Sequence, residues 1–288
     1  MLPNLQTYHR PTTLEEAIRL IQPPGTVPIG GGTLLIPSRD PAVEAVVDLS
    51  GLGLTYIREE ETGWAVGATT TLQQMLESPA LRERTQGLIA EAARLTASRN
   101  LRGQATIGGI VAAGGFESPI LTLLLALDTI VTFYAPERRQ MPLDQFLRER
   151  GDILRRGALI TELCIPQPTG LSRMGMAFVN RTPRDRPIVC AVVETQWAGE
   201  KCVRAHIALG GVAERPIRAR RAEEALQGRE WSPEVLDQAA ALAAEPLNPP
   251  TDFRGSREYR RAMARVLVHR ALREVLKSDN MPGNPGCD

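Results

Sequence analysis

Up to Pro168 the chain sets short β-branched runs between short amphipathic stretches, a pattern that predicts αβ units. Leu14, Ala17, Ile18 and Ile21 recur at helical spacing behind the candidate caps Thr12 and Thr13. Glu15 and Glu16 sit three residues on, as in a capping box, and Pro23, Pro24 and Gly25 end the helix. A strand is expected over Thr26 to Ile29, then Gly30-Gly31-Gly32-Thr33, then an apolar run, Leu34-Leu35-Ile36, that stops at Pro37. Ala45 to Asp48 reads as a second strand. Thr55 to Glu59 and Trp64 to Ala68 read as a pair around Glu61-Thr62-Gly63. Thr71 opens a helix with Gln74 in the box position, and Leu88 to Leu95 forms another. A loop from Ala97 to Thr106 leads to Ile107-Gly108-Gly109-Ile110. A helix over Ile120 to Leu127 and strands over Ile130 to Tyr134 and Leu159 to Ile165 follow.

After Pro168 the pattern changes. Met174 to Val179, Ile188 to Trp197 and Cys202 to Leu209 read as three antiparallel strands. Arg220 to Leu226, Pro233 to Ala244 and Ser256 to Leu276 read as helices; in the last, Tyr259, Met263, Val266, Leu267, Leu272 and Val275 form a core-facing stripe. The pattern places a domain boundary near Gly170 and a disordered tail over 278–288.

Composition narrows the class. A chain of 288 residues suggests two domains. With 34 Lys and Arg against 33 Asp and Glu, it lacks the basic excess of a nucleic-acid binder. The longest apolar stretch, Ile120 to Val131, is interrupted by Thr122 and Asp128 and is too short to span a bilayer. The N-terminus lacks the order of a signal peptide, so a cytoplasmic location is expected. Cys164, Cys190, Cys202 and Cys287 form no CxxC pair, and His9, His206 and His269 are the only histidines. These spacings argue against a zinc or iron–sulfur site on this chain and for inert thiols.

Two glycine segments carry the chemistry. In Ile29-Gly30-Gly31-Gly32-Thr33-Leu34, successive amides can converge into an anion-binding nest. Thr106-Ile107-Gly108-Gly109-Ile110, followed by Ala112-Ala113-Gly114-Gly115, offers the same small residues and is expected to expose its amides too. Thr33 and Thr106 can each add a hydroxyl. Neither segment matches the GxGxxG fingerprint or the phosphate loop ending in Gly-Lys-Ser/Thr. The residues alone lead to a cofactor containing pyrophosphate.

In the order and spacing of several motifs the chain resembles a known family over nearly its whole length. These motifs are Tyr8 to Ala17 (YHRPTTLEEA), Gly31 to Thr33, Val66 to Thr71 (VGATTT), Ala105 to Gly109 (ATIGG) and Leu124 to Asp128 (LLALD). Late in the chain come Ala208 to Ala213 (ALGGVA), Pro216 to Ala219 (PIRA) and Tyr259-Arg260-Arg261 to Leu267. The family is the FAD-binding medium subunit of the molybdenum hydroxylases, the group of xanthine dehydrogenase and aerobic carbon monoxide dehydrogenase. The resemblance implies an α+β fold. Two small αβ subdomains, about 1–54 and 55–169, form an FAD-binding domain of the PCMH type over 1–169. A three-stranded antiparallel sheet with a helical bundle follows over 170–277.

The resemblance also implies a function. The flavin would take electrons from [2Fe–2S] clusters on a small subunit, supplied by a molybdopterin-binding large subunit, and pass them to NAD, oxygen or a quinone. It places FAD against Ile29, Gly30, Gly31, Gly32, Thr33, Leu34, Thr106, Ile107, Gly108, Gly109, Ile110, Ser118, Ile160 and Asn180, with Ile160 against the isoalloxazine ring. Several polar positions of the family differ here: Leu34, Ile110, Pro119, Asn180 and Pro187 stand where it usually has polar or charged residues. Glu117 or Ser118 could stand in for the Asp lost at Pro119. Two alternatives stay open: a member that has lost FAD and serves as a structural or assembly subunit, and a free-standing flavin oxidoreductase. The latter needs its own acid or base, and His206 and His269 read as structural. Arg181 to Pro187 is a charged loop that reads as a solvated turn or as a contact to flavin phosphate or acceptor.

Overall fold

The structure, a computed structural model, describes residues 2–168, 170–182 and 185–277. The expected disordered tail and residues Pro183 and Arg184 of the arginine-rich loop lie outside the described residues. The chain divides into two compact units. The first comprises Met1–Glu83, Ile89–Gly114 and Asp128–Gln167; the second comprises Arg84–Leu88, Gly115–Leu127 and Pro168–Asp288. Among the described residues no helix is long and apolar enough to cross a membrane.

The first unit opens with β1 (Thr7–His9), α1 (Leu14–Leu20), β2 (Thr26–Ile29), α2 (Leu35–Ser38) and β3 (Ala45–Asp48). The strands form a parallel sheet in the order β1-β3-β2. Helix α1 is capped by Thr13, whose hydroxyl accepts from the Glu16 amide. Its Ala17 and Ile21 join Val47, Leu49 and Leu159 in a small core. The run Leu34-Leu35-Ile36 does not simply stop at Pro37. Leu35–Ser38 is one helical turn, with Arg39 left-handed at its end.

A second group follows: β4 (Ile57–Glu60), β5 (Gly63–Gly67), α3 (Leu72–Glu77), α4 (Pro79–Arg84), α5 (Leu88–Thr96), α6 (Arg99–Arg102) and α7 (Ile107–Ala113). Thr71 and Gln74 form the expected capping box on α3, an arrangement typically worth about 1 kcal/mol. The stretch expected as a loop from Ala97 to Thr106 contains the turn of α6. The second glycine segment is helical, not a loop. After α8 (Pro119–Ala126), which belongs to the second unit, come β6 (Ile130–Tyr134), β7 (Arg138–Pro142), α9 (Leu143–Arg155) and β8 (Leu159–Pro166). These strands form an antiparallel sheet in the order β4-β5-β8-β6-β7.

In the second unit, β9 (Leu171–Val179), β10 (Val189–Ala198) and β11 (Lys201–Gly210) build a long antiparallel sheet, extended by the two-residue edge β12 (Ile217–Arg218). Helices α10 (Arg220–Leu226), α11 (Pro233–Ala244) and α12 (Arg257–Lys277) complete it. Leu267, Val268, Ala271, Leu272 and Val275 of α12 share one apolar core with β10, β11 and α11. Pro119 takes the first turn of α8, where its missing N–H costs nothing.

Candidate functional site

The first unit holds a cleft of about 510 Å³, within the range of small-molecule sites. One wall is the loop after β2, from Ile29 to Leu35 with Ser38. The other is a stripe of α7: Thr106, Gly109, Ala112 and Ala113. These α7 positions recur at three- and four-residue steps, so they share one helix face, while Ile107, Ile110 and Val111 point into the core. Ile21, Leu154, Gly157 and Ala158 line the cleft as well. No charged side chain is among its described lining residues.

The three glycines serve two different needs. A Cβ on Gly30 would lie 2.6 Å from the Thr106 hydroxyl, and one on Gly31 only 1.6 Å from the Gln104 carbonyl oxygen. Both positions are glycine because the loop passes against the residues leading into α7. Gly32 has φ +67, a left-handed conformation that glycine adopts at little cost. The resulting turn leaves the amides of Gly31, Gly32, Thr33 and Leu34 with no acceptor among the described residues. These residues are half-buried, and all of them line the cleft. Four unpaired donors on one half-buried loop are the raw material of an anion-binding nest, which needs no cation.

The second glycine segment behaves otherwise, and the expectation of exposed amides there is corrected. The Ile107 amide donates to the Thr70 carbonyl at 2.9 Å and the Gly108 amide to the Ala68 carbonyl at 2.8 Å. The Gly109 amide donates to the Thr106 hydroxyl, and the Ile110 amide to the Thr106 carbonyl. The physical reason is helix capping: an α-helix starts with unpaired amides, and here the VGATTT stretch and Thr106 supply their acceptors. A Cβ on Gly108 would lie 2.8 Å from both the Ala68 Cβ and its carbonyl oxygen, so this glycine serves packing.

Of the residues expected at the site, the structure thus gathers Ile29, Gly30, Gly31, Gly32, Thr33, Leu34, Thr106 and Gly109 around one cleft. Ile107, Gly108 and Ile110 lie buried behind it. Ile160 is buried on β8 in the same unit. Ser118 and Asn180 belong to the second unit. There Ser118 caps α8, accepting from the Leu121 amide, and the Asn180 side-chain amide donates to the Asp185 carbonyl at 3.5 Å. Glu117 is held by Arg254 at 3.0 Å.

The sequence reading does not single out Leu154, Gly157 or Ala158, because the stretch between β6 and β8 carries no motif. Its signal is helical: Leu143, Phe146 and Leu147 are the buried face of α9. Arg150 on α9 donates to the Val111 and Gly114 carbonyls at the end of α7, which fixes the far end of the cleft wall. Burial pulls its pKa below the usual arginine value.

Neither candidate histidine changes this assignment. His206 receives a hydrogen bond from Arg204 Nε at 2.8 Å and pairs through Nδ1 with the Ala126 carbonyl at 2.9 Å. Both ring nitrogens are thus engaged within the fold, as in a structural imidazole. His269 lies 3.4 Å from Asp237.

Comparison with known proteins agrees with this geometry. Residues 3–168 match the family described as the FAD binding domain in molybdopterin dehydrogenase, and residues 177–275 match the CO dehydrogenase flavoprotein C-terminal domain. The carbon monoxide dehydrogenase medium chain of Afipia carboxidovorans is 32% identical over 280 residues, covering 94% of this chain and 97% of the relative. The glyceraldehyde dehydrogenase medium chain of Sulfolobus acidocaldarius is 27% identical, covering 96% and 100%. Among solved structures, a carbon monoxide dehydrogenase from Hydrogenophaga pseudoflava superposes with a TM-score of 0.88 at 28% identity, covering 96% of this chain and 99% of that one. With both halves matched in order and at full length, the chain belongs to the FAD-binding medium subunits of the molybdopterin dehydrogenases.

Proposed function

We propose that this chain holds FAD in the cleft of the first unit and works as the electron-transfer subunit of a molybdopterin-dependent dehydrogenase. In this reading a large subunit carries the molybdopterin and the substrate. A small subunit carries two [2Fe–2S] clusters, and the external acceptor is NAD, oxygen or a quinone. The observation that carries the reading is the set of unpartnered amides from Gly31 to Leu34 on a loop that lines an uncharged cleft.

The residues present fit the cofactor. A diphosphate needs donors, and the cradle supplies amides, with hydroxyls from Thr33 and Thr106 on the same cleft. Stabilisation by amide dipoles needs no side-chain charge, which accounts for tolerance of Leu34 and Ile110 in place of polar residues. The small stripe Gly109-Ala112-Ala113 lets a flat ligand approach the α7 backbone, and Ile21 and Leu154 add apolar walls. Ile160 is the candidate apolar neighbour of the ring. FAD supplies the redox chemistry, and the chain supplies binding and orientation.

Visible absorbance of the purified protein, followed by chromatography of released cofactor, tests the proposal. One FAD per chain is expected. A protein that stays colourless after incubation with excess FAD would overturn it in favour of a spacer subunit. The engaged amides of α7 are the one observation that favours that second reading.

A further inference from the structure

We infer that the turn Asp252–Gly255 in the second unit, with the hollow beside it, is a docking surface for another protein subunit. The complementary partner presents an apolar socket flanked by carboxylates. The inference rests on the reading above that the chain is one subunit of an assembly.

Phe253 is 86% exposed. A single exposed apolar residue is ordinary, but this one sits on a turn that is rigidly held. Asp252 Oδ1 accepts from the amides of Arg254 and Gly255 at 2.9 and 3.1 Å. Arg260, 0% exposed, donates to the same oxygen at 2.7 Å and to the carbonyls of Ile188 and Gly211 at 2.6 and 2.9 Å. A buried arginine persists only when its donors are satisfied. Here they are spent on fixing the base of this turn. A fixed turn loses little conformational entropy on docking.

Beside Phe253 lies a hollow of about 330 Å³, with Ile188 in its lining together with Arg181, Arg186 and Arg254. Its acids are Glu117 and Asp185. Glu117 is shared by Arg254 at 3.0 Å and Arg186 at 3.9 Å. Three guanidinium groups against two carboxylates leave the described lining positive by one (3 − 2 = 1). An exposed aromatic ring among arginines has the composition of interface hot spots. A small anion would engage the arginines and leave Phe253 in water. A protein surface with carboxylates around an apolar socket covers both.

The test is co-expression with the other subunits of the dehydrogenase, followed by size-exclusion chromatography and measurement of subunit affinity. Phe253→Asp should lower affinity by about a hundredfold, and Arg186→Glu by about tenfold. Phe253→Leu should retain most of the affinity. Circular dichroism should stay at wild-type values in all three, and FAD content in the two Phe253 variants. Wild-type association with undiminished binding of Phe253→Asp would overturn the docking surface alone. A wild-type chain that never associates would overturn the subunit reading with it. A chain that dimerises by itself through Phe253 would overturn it in favour of a second copy.

Discussion

The two glycine segments of the first unit have nearly the same composition and opposite fates. Gly30-Gly31-Gly32-Thr33 turns back on itself with four consecutive amides, Gly31 to Leu34, unpaired and half-buried. Thr106-Ile107-Gly108-Gly109 starts a helix whose amides are all taken, by Ala68, Thr70 and Thr106. The first segment therefore offers backbone donors to a ligand. The second offers a smooth wall and one hydroxyl. Glycine content alone does not make an anion site. What decides is whether the neighbouring chain supplies acceptors for the amides.

The comparison can be broken most sharply at Gly31. A Cβ there meets the Gln104 carbonyl oxygen at 1.6 Å, so Gly31→Ala must displace the cradle. We expect FAD affinity to fall roughly tenfold to hundredfold, the equivalent of 1–3 kcal/mol of overpacking, read by titrating apoprotein with FAD. Gly108→Ala is the counterpart. Its Cβ meets Ala68 at 2.8 Å, away from the cleft lining. It should cost about 1–3 kcal/mol of stability in denaturant titration and leave the FAD affinity of the folded protein near wild type. If Gly108→Ala loses FAD as strongly as Gly31→Ala, the division of labour between the segments is wrong.

Thr106→Val sits between these two cases. It removes the acceptor for the Gly109 amide, a capping loss of about 1 kcal/mol. It also removes the hydroxyl that lines the cleft. Both stability and FAD affinity should drop modestly, and Thr106→Ser should restore both. The smallest effect concerns the segment leading into β4, which is bonded to the VGATTT stretch. Tyr56 exchanges backbone hydrogen bonds with the Thr70 hydroxyl and donates its own hydroxyl to Glu162 at 2.8 Å. Burial, then the Glu162 carboxylate, push its pKa up to about 12 from 10.0. The folded state thus holds this proton more tightly than the unfolded chain does. Its contribution is full below pH 10 and is lost as pH rises towards 12. Tyr56→Phe should flatten that part of the stability profile, measured by thermal melting across the range.

Local patterns made several elements legible before the fold. Thr13 with Glu16 and Thr71 with Gln74 announced the starts of α1 and α3, because capping is settled within four residues. The three long strands of the second unit and helices α10 to α12 were likewise written in alternation and helical spacing. The pattern passed over the amphipathic helix α9 and several elements that are short or polar. Strand β7, RRQMP, is nearly all exposed and gains its identity only by pairing with β6. Strand β1, TYH, is three residues long and is defined by its ladder with β3.

What the sequence determined by itself is therefore the inventory: the caps, the periodic elements, the two glycine segments and the family they identify. What only the tertiary structure decided is which backbone groups are free. An amide is a donor wherever it stands, and its availability depends on a carbonyl brought near by folding. Ala68 and Thr70 lie some forty residues before α7, and no local rule says that their carbonyls will close it. Nor does any local rule say that Gln104 will press on Gly31 and leave the next amides open. Hydrogen-bond satisfaction is settled by contacts distant in sequence, so the same glycines became a cradle in one place and a helix start in the other.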